Sequence, residues 1–308
     1  MMIAAARSMA PSAPMTARLL VVDGHAYAYR AFYAIRSLNS PSGAATNAIY
    51  GFIKMLAKMR ALLEPTHVVV VWDGGLSEQR TASLPGYKAQ RPPMPEDLGH
   101  QIEEIETYLA AARITSLCDA GVEADDRIAT LTRHAVAAGA NVVIASSDKD
   151  FMQLVSPQVG LLNPNDKSET IWSNEQVLAK TGVRPEQIVD WLSLIGDSVD
   201  NIPGVTGVGP KTATELIRQY GSAAGVFEKV GEIRSEKLRA NLLAAREAVE
   251  RNQRLIRLLD DLDGGFSFDN FADAAPDVAR LRELYERWGF RSLRQELEAA
   301  PAAQSEFF

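Results

Sequence analysis

Up to about residue 173 the chain alternates short apolar runs with longer amphipathic ones. Arg18-Leu19-Leu20-Val21-Val22 and Thr66-His67-Val68-Val69-Val70-Val71-Trp72 read as buried strands, and they run into Asp23-Gly24 and Asp73-Gly74-Gly75. Between them Ile49, Phe52, Ile53, Leu56 and Met59 recur at helical spacing over residues 47–63, as in the crossover helix of a right-handed β-α-β unit. A helix is predicted over 102–112 and a short strand near 114–117. Ala124, Ile128, Leu131 and Ala135 mark another helix, Gly139 is placed to end it, and Asn141-Val142-Val143-Ile144-Ala145 reads as a further buried strand. Val159-Gly160-Leu161-Leu162 and Thr170-Ile171-Trp172 flank residues 163–167 as a hairpin at the sheet edge. Beyond Ser173 the strand pattern stops; residues 174–180, 185–195 and 281–297 read as helices, with Trp288 and Phe290 packing the last onto the core. The pattern predicts an α/β fold with a mostly parallel central sheet flanked by helices, then a helical C-terminal part. The expected segments are a flexible tail over 1–17, an α/β core over 18–180 and a helical subdomain over 181–308.

The acids fall where such a sheet would use them. Glu123, Asp125 and Asp126 open the helix after Gly121-Val122, and Asp148 and Asp150 follow the strand that ends at Ala145. A single strand-end aspartate is commonly a turn or cap residue, and acids suit a helix amino terminus. With Asp23 and Asp73, however, three strands deliver carboxylates to one rim, the rim where open α/β sheets bind ligands. So many like charges repel unless a cation sits among them, and hard divalent ions such as Mg²⁺ take carboxylate oxygens.

Composition narrows the setting. The chain has 308 residues, 46% hydrophobic and 23% charged, which excludes disorder as its main state. Its lone cysteine, Cys118, excludes an internal disulfide framework, fits a reducing cytoplasm and reads as a packing residue. No apolar run is long enough to span a bilayer, and residues 1–17 lack a sustained apolar signal segment. The net charge of −7 argues at first against a nucleic-acid partner, yet two divalent ions in the acidic cluster would supply four positive charges.

Two further stretches carry cations or glycines. Residues 76–100 are broken by Pro85-Gly86, Pro92-Pro93 and Pro95 and carry Arg80, Tyr87, Lys88 and Arg91. They read either as a solvated loop or as a mobile basic lid that grips phosphates and stacks a base on Tyr87. From Gly196 to Ala213, Gly204, Gly207 and Gly209 free the backbone, Pro210 starts a helix, and Lys211 and Thr212 sit at its amino end, a place for a phosphate. A helix-turn-helix linker needs such glycines too, but Asp197, Asp200 and Lys211 beside them favour the phosphate, read through backbone and not base sequence. The cations over residues 237–257 read mainly as a salt-bridged solvent face.

Taken together, Leu20-Val21-Val22-Asp23-Gly24, Pro85-Gly86-Tyr87-Lys88, Arg91-Pro92-Pro93-Met94-Pro95, Glu123-Ala124-Asp125-Asp126, Ser147-Asp148-Lys149-Asp150, Gly196-Asp197-Ser198 and Asp200-Asn201-Ile202-Pro203-Gly204-Val205 resemble the motifs of the 5′-nuclease (flap endonuclease) family. The likeness is to the bacterial 5′-3′ exonucleases that begin DNA polymerase I or stand alone, and it covers residues 18 to about 298. It implies a PIN-like core and a helix-three-turn-helix over 196–213. By resemblance, Asp23, Asp73, Glu123 and Asp125 hold one Mg²⁺, and Asp125 or Asp126, Asp148, Asp150 and Asp200 a second, with Asp197 in support and Mn²⁺ able to substitute. Lys88 and Arg91 stand on a helical arch around the 5′ strand, with Tyr87 beside them, and Arg30 approaches a phosphate. Arg80, Gly204, Gly207, Gly209, Lys211 and Thr212 contact DNA, and a K⁺ is expected at the glycine turn. Trp72, Arg127 and Val199 depart from the family pattern, while none of its acids is missing.

The function so implied is metal-dependent 5′-3′ exonuclease and flap endonuclease activity on 5′-flap, nicked or branched DNA in replication and repair. The protein is expected to be a cytoplasmic, nucleoid-associated monomer, with a polymerase domain or a replication or repair protein as partner. A catalytically weak DNA-junction module would not need the clustered acids, and a metal-dependent phosphatase would leave the glycine turn and basic lid without a role.

Overall fold

The computed structural model describes residues 17–299 apart from 167, 265 and 266, so the expected tail lies outside the described residues except for Ala17, as does Lys167 of the hairpin loop. In chain order the elements are β1 (Arg18–Asp23), α1 (Gly24–Ala34), α2 (Asn47–Leu63), β2 (His67–Trp72), α3 (Glu78–Ser83), α4 (Glu96–Ala111), β3 (Thr115–Cys118), α5 (Ala124–Ala137), β4 (Asn141–Ala145), β5 (Val159–Leu162) and β6 (Ile171–Trp172). There follow α6 (Asn174–Thr181), α7 (Ile188–Ile195), a small hairpin of β7 (Gly196–Asp197) and β8 (Ile202–Pro203), α8 (Pro210–Tyr220), α9 (Ala223–Glu228), α10 (Glu236–Ile256), α11 (Val278–Trp288) and α12 (Arg291–Ala299). The main sheet has the order β3-β2-β1-β4-β5-β6, parallel throughout except for the antiparallel edge strand β6.

The apolar runs are strands because both faces are covered. Leu20, Val22, Val68 and Val70 face a layer of α1, α2 and α4, while Leu19, Val21, Val69 and Val71 face α5 and the helices α7 to α10. The chain leaves β1 for β2 on one side and later returns to β4 on the other, so the strand order reverses between β1 and β4. A crevice opens there at the strands' carboxyl ends.

Three features differ from the sequence pattern. α1 was not expected; the Asp23 carboxylate caps it by accepting from the Ala26 amide at 3.0 Å. The helical part after residue 180 has no separate core, since α7 to α10 share one with a face of the sheet. The single helix read over 281–297 is two, α11 and α12, parted at Gly289 (φ 75°); they return to the opposite layer, where Trp288 is buried as expected and Phe290 meets Tyr50 at 5.2 Å between ring centroids.

A candidate metal and nucleic-acid site at the sheet rim

Asp23, Asp73, Asp125, Asp148, Asp197 and Asp200 line one cleft of about 380 Å³, with His25 and Tyr29 on its α1 side. Backbone geometry brings them together. Asp23 ends β1 and accepts from the Ser146 hydroxyl at 2.7 Å, which ties it to the end of β4. After β2, Gly74 exchanges amide hydrogen bonds with the 119–122 turn, and a Cβ on Gly74 would sit 1.9 Å from the Asp119 carbonyl. That approach draws Asp73 to the start of α5, where its carboxylate accepts from the Ala124 amide at 3.2 Å. Asp148 is held by the Asp150 amide, which donates to it at 2.9 Å. Asp197 and Asp200 come from the β7–β8 hairpin.

Crowding these acids has an electrostatic cost that shows in their proton affinity. Burial, followed by the neighbouring Asp148, pushes Asp125 well above the usual carboxylate range. Burial and the same neighbour raise Asp150, and burial raises Asp148 against the pull of the Asp150 amide. Asp23 is pushed up to about 6, chiefly by burial, although Ala26 and Ser146 hydrogen-bond to it.

Internal cations partly offset the charge. Lys88 is 5% exposed and donates to Glu123 at 2.6 Å, with Asp125 at 3.8 Å. Glu123 also accepts from the Tyr87 hydroxyl at 3.1 Å and the Ser77 amide at 3.0 Å. Burial would raise Glu123, but Lys88 and Arg80 outweigh it and hold the carboxyl below its ordinary range. Arg91 pairs with Asp200 at 2.6 Å and Lys149 with Asp197 at 3.1 Å.

Several expected site residues stand elsewhere. Asp126 is turned away from the cleft and takes a two-pronged pair from Arg80 at 2.6 and 2.7 Å, while Arg80 also donates to the Leu255 and Arg257 carbonyls. In this arrangement Asp126 is not a cleft acid and Arg80, 5% exposed, offers nothing to DNA; together they fasten α3 and α5 to the end of α10. Tyr87 is 4% exposed with its hydroxyl on Glu123, so no base can stack on it here. Residues 84–91 do not form a helical arch; they fold down over Glu123 because its buried charge draws in Lys88. Arg30 lies outside the acid cleft, in an adjoining hollow, and bonds to Asn165. Asp150 does not line the cleft either, but one of its carboxylate oxygens is buried without a hydrogen-bond partner.

The glycine turn leads from β8 into α8. A Cβ on Gly204 would sit 2.0 Å from the Ile195 carbonyl, Gly207 has φ +81°, and Gly209 caps α8 ahead of an exposed Lys211 and a half-buried Thr212. The sequence reading missed His25, which accepts from the Asp73 amide at 3.1 Å, and also Tyr29, Ser146 and Lys149. Their positions within a few residues of Asp23 and Asp148 were the available signal.

Among the described residues no three possible ligands close on one point as a bound metal would hold them. The donor set is nonetheless all oxygen, mutually repelling and includes the unpartnered Asp150 oxygen, so it fits a hard divalent cation. A sign follows for stability. Asp23, Asp125, Asp148 and Asp150 have folded pKa values above the ordinary 3.8, so their contribution is complete below that value and is lost as pH rises through the folded one, about 6 for Asp23. Glu123, held low, runs the other way but is a single group. In chelator the melting temperature should therefore fall between about pH 5 and about pH 8, and Ca²⁺ should raise it more at the higher pH. An equal Ca²⁺ effect at both values would remove the cation from this cluster.

Residues 18–182 match the family model "5'-3' exonuclease, N-terminal resolvase-like domain" and residues 183–279 match "5'-3' exonuclease, C-terminal SAM fold". The 5'-3' exonuclease of Aquifex aeolicus is 37% identical over 280 residues, covering 91% of this chain and 95% of that one. DNA polymerase I of Bacillus caldotenax is 37% identical over 294 residues, 95% of this chain but only 33% of the polymerase. In fold the chain is similar to the T5 5'-exonuclease with bound zinc, at a TM-score of 0.66 and 23% identity over 79% of this chain and 90% of that one. It is similar also to the catalytic core of Rad2 in complex with DNA substrate, at a TM-score of 0.63 and 17% identity over 92% of each. With matching models over most of its length and a relative of nearly its own size, the chain belongs to the 5′-3′ exonuclease family.

Proposed function

We propose that the chain is a divalent-metal-dependent 5′-3′ exonuclease and flap endonuclease that hydrolyses DNA phosphodiesters at a 5′ end or at a junction of single strand and duplex. The observation that carries it is the acid cleft, with Arg91 in its lining, Lys88 paired to Glu123, and the turn over 204–211 following directly on the hairpin that supplies Asp197 and Asp200.

Asp23, Asp73, Glu123 and Asp125 would hold one ion and Asp125, Asp148, Asp150 and Asp200 the other, with Asp197 in support; Mg²⁺ is the natural ion and Mn²⁺ a substitute. When bound, the ions would lower the pKa of a water so that hydroxide is available as the nucleophile, and would neutralise charge at the leaving oxygen. The carboxylates orient that pair and need no proton-transfer role. Lys88 and Arg91, here paired with Glu123 and Asp200, would stabilise charge on the phosphate, and Tyr29 and Arg30 extend the surface along α1. The Gly204, Gly207 and Gly209 backbone, with Lys211 and Thr212, grips duplex phosphates, with a K⁺ as further counter-charge. Such contacts make the cut follow strand end and junction, not base sequence. Among the described residues no helix is long and apolar enough to cross a membrane, and a cytoplasmic monomer acting beside a polymerase fits this role.

The test is a labelled 5′-flap duplex incubated with the protein in Mg²⁺ and in chelator. Metal-dependent release of the flap is expected; tight binding with no release in Mg²⁺ would reduce the protein to a junction-binding module.

A further inference from the structure

The segment that carries Lys88 and Arg91 is fastened to the β7–β8 hairpin at one small place. The Asn201 side chain donates to the Gly86 carbonyl at 2.7 Å and accepts from the Gln90 side chain at 3.1 Å, so it spans both ends of the turn that bears Lys88. Beside it, the Lys88 amide donates to the Asp200 carbonyl at 3.0 Å. The contact is close: a Cβ on Gly86 would lie 2.8 Å from the Asn201 amide nitrogen. Two non-glycine residues take left-handed backbone here, Asn201 at φ 57° and Lys88 at φ 54°. Asparagine tolerates that conformation better than most residues, while a lysine in it has to be held by its surroundings.

On its other side the hairpin is rigidly joined to the glycine turn. Asn201 precedes the two residues of β8 and then Gly204, whose close approach to the Ile195 carbonyl leaves no room for a side chain. The Asn252 side chain, fully buried, donates to the Pro203 carbonyl at 2.7 Å and to the Ser193 carbonyl at 3.1 Å. The Val205 amide donates to the Leu194 carbonyl at 2.8 Å. These bonds hold β8 and the turn over 204–209 to one frame of α7 and α10, and the Asn201 side chain links the Lys88-bearing turn to that frame.

We infer that Asn201 is a positioning residue: its side chain sets the Lys88-bearing turn relative to the duplex-gripping turn, so that duplex engagement and placement of Lys88 are one mechanical event. The inference rests on the nuclease reading above. The Asn201 side chain bonds to none of the acids; it acts through Lys88, whose useful range at the phosphate is a fraction of an ångström.

The test uses Asn201→Gly, which keeps the left-handed backbone and removes only the side chain. Single-turnover cleavage of a 5′-flap duplex in Mg²⁺ should slow about 10- to 100-fold, the scale of a misplaced catalytic group. Duplex affinity in Ca²⁺ and melting temperature should stay close to wild type. A merely structural role would not move the decisive readout, which is a double-mutant cycle: in a Lys88→Ala background, Asn201→Gly should cost less than about 3-fold more, because its effect passes through Lys88. Wild-type speed in Asn201→Gly, or a full further loss in the Lys88→Ala background, overturns the inference. Failure of the wild-type protein itself to cleave in Mg²⁺ overturns the nuclease reading instead.

Discussion

Asp125→Asn should slow flap cleavage at least about 10²-fold while making the protein more resistant to unfolding in chelator. Asp125 stands at the first turn of α5, between the acids of β1 and β2 and those that follow β4. Burial, and next Asp148, raise its pKa far above the carboxylate norm, which means the ionised form is disfavoured in the metal-free fold. An amide of the same shape removes that repulsion and keeps an oxygen, but it takes away charge that a divalent ion needs. Cation affinity by calorimetry should drop together with the single-turnover rate, and flap binding in Ca²⁺ should persist because one negative charge fewer faces the phosphates. A melting temperature that falls in chelator, or a rate within a few-fold of wild type, would take Asp125 out of the metal site.

The strands that build the rim were legible because each is apolar on both faces, so Leu19 to Val22 and Val68 to Val71 admit little but a central parallel strand. The acids were legible for a related reason: a charged residue at the end of such a run has to emerge at the carboxyl rim. α1 was not legible, since its buried positions are Gly24, Tyr27, Ala28 and Ala31, three small residues and one tyrosine, which give a weak apolar stripe. Asp23 therefore read only as a strand-end acid of the rim, where it is at once the cap of α1 and a wall of the cleft. Residues 76–100 were misread for a deeper reason. Proline, glycine and three cations describe a solvated loop or a basic lid, and nothing local reveals that Arg80 will meet Asp126 and Lys88 will meet Glu123, tens of residues away. Buried ion pairs are long-range facts. The same holds for α11, whose amphipathic spacing announces a buried face around Trp288 but not which layer receives it.

Lys88 carries the remaining large prediction, and burial divides it into two parts. In chelator, Lys88→Ala leaves Glu123 ionised in a site where it is 1% exposed, with only Arg80 at 3.4 Å, the Tyr87 hydroxyl and the Ser77 amide to hold it. Removing one partner of a buried pair costs about 3 to 5 kcal/mol, and the contacts that remain to Glu123 put the expected loss at the lower end. A divalent cation that takes the place of the ammonium restores the charge balance, so Ca²⁺ should recover most of that stability in the variant. The catalytic part should not recover. Cleavage under single-turnover conditions is expected to fall about 10²-fold, as for loss of one preorganised donor, while duplex affinity stays near wild type because the grip over residues 204–211 is untouched. Lys88→Met separates charge from packing. It keeps an apolar stem beside the Tyr87 ring, which the ammonium approaches at 5.1 Å, and should be as slow as the alanine variant. If Lys88→Met cleaves at the wild-type rate, the lysine only fills space beneath the turn, and its part in the chemistry falls.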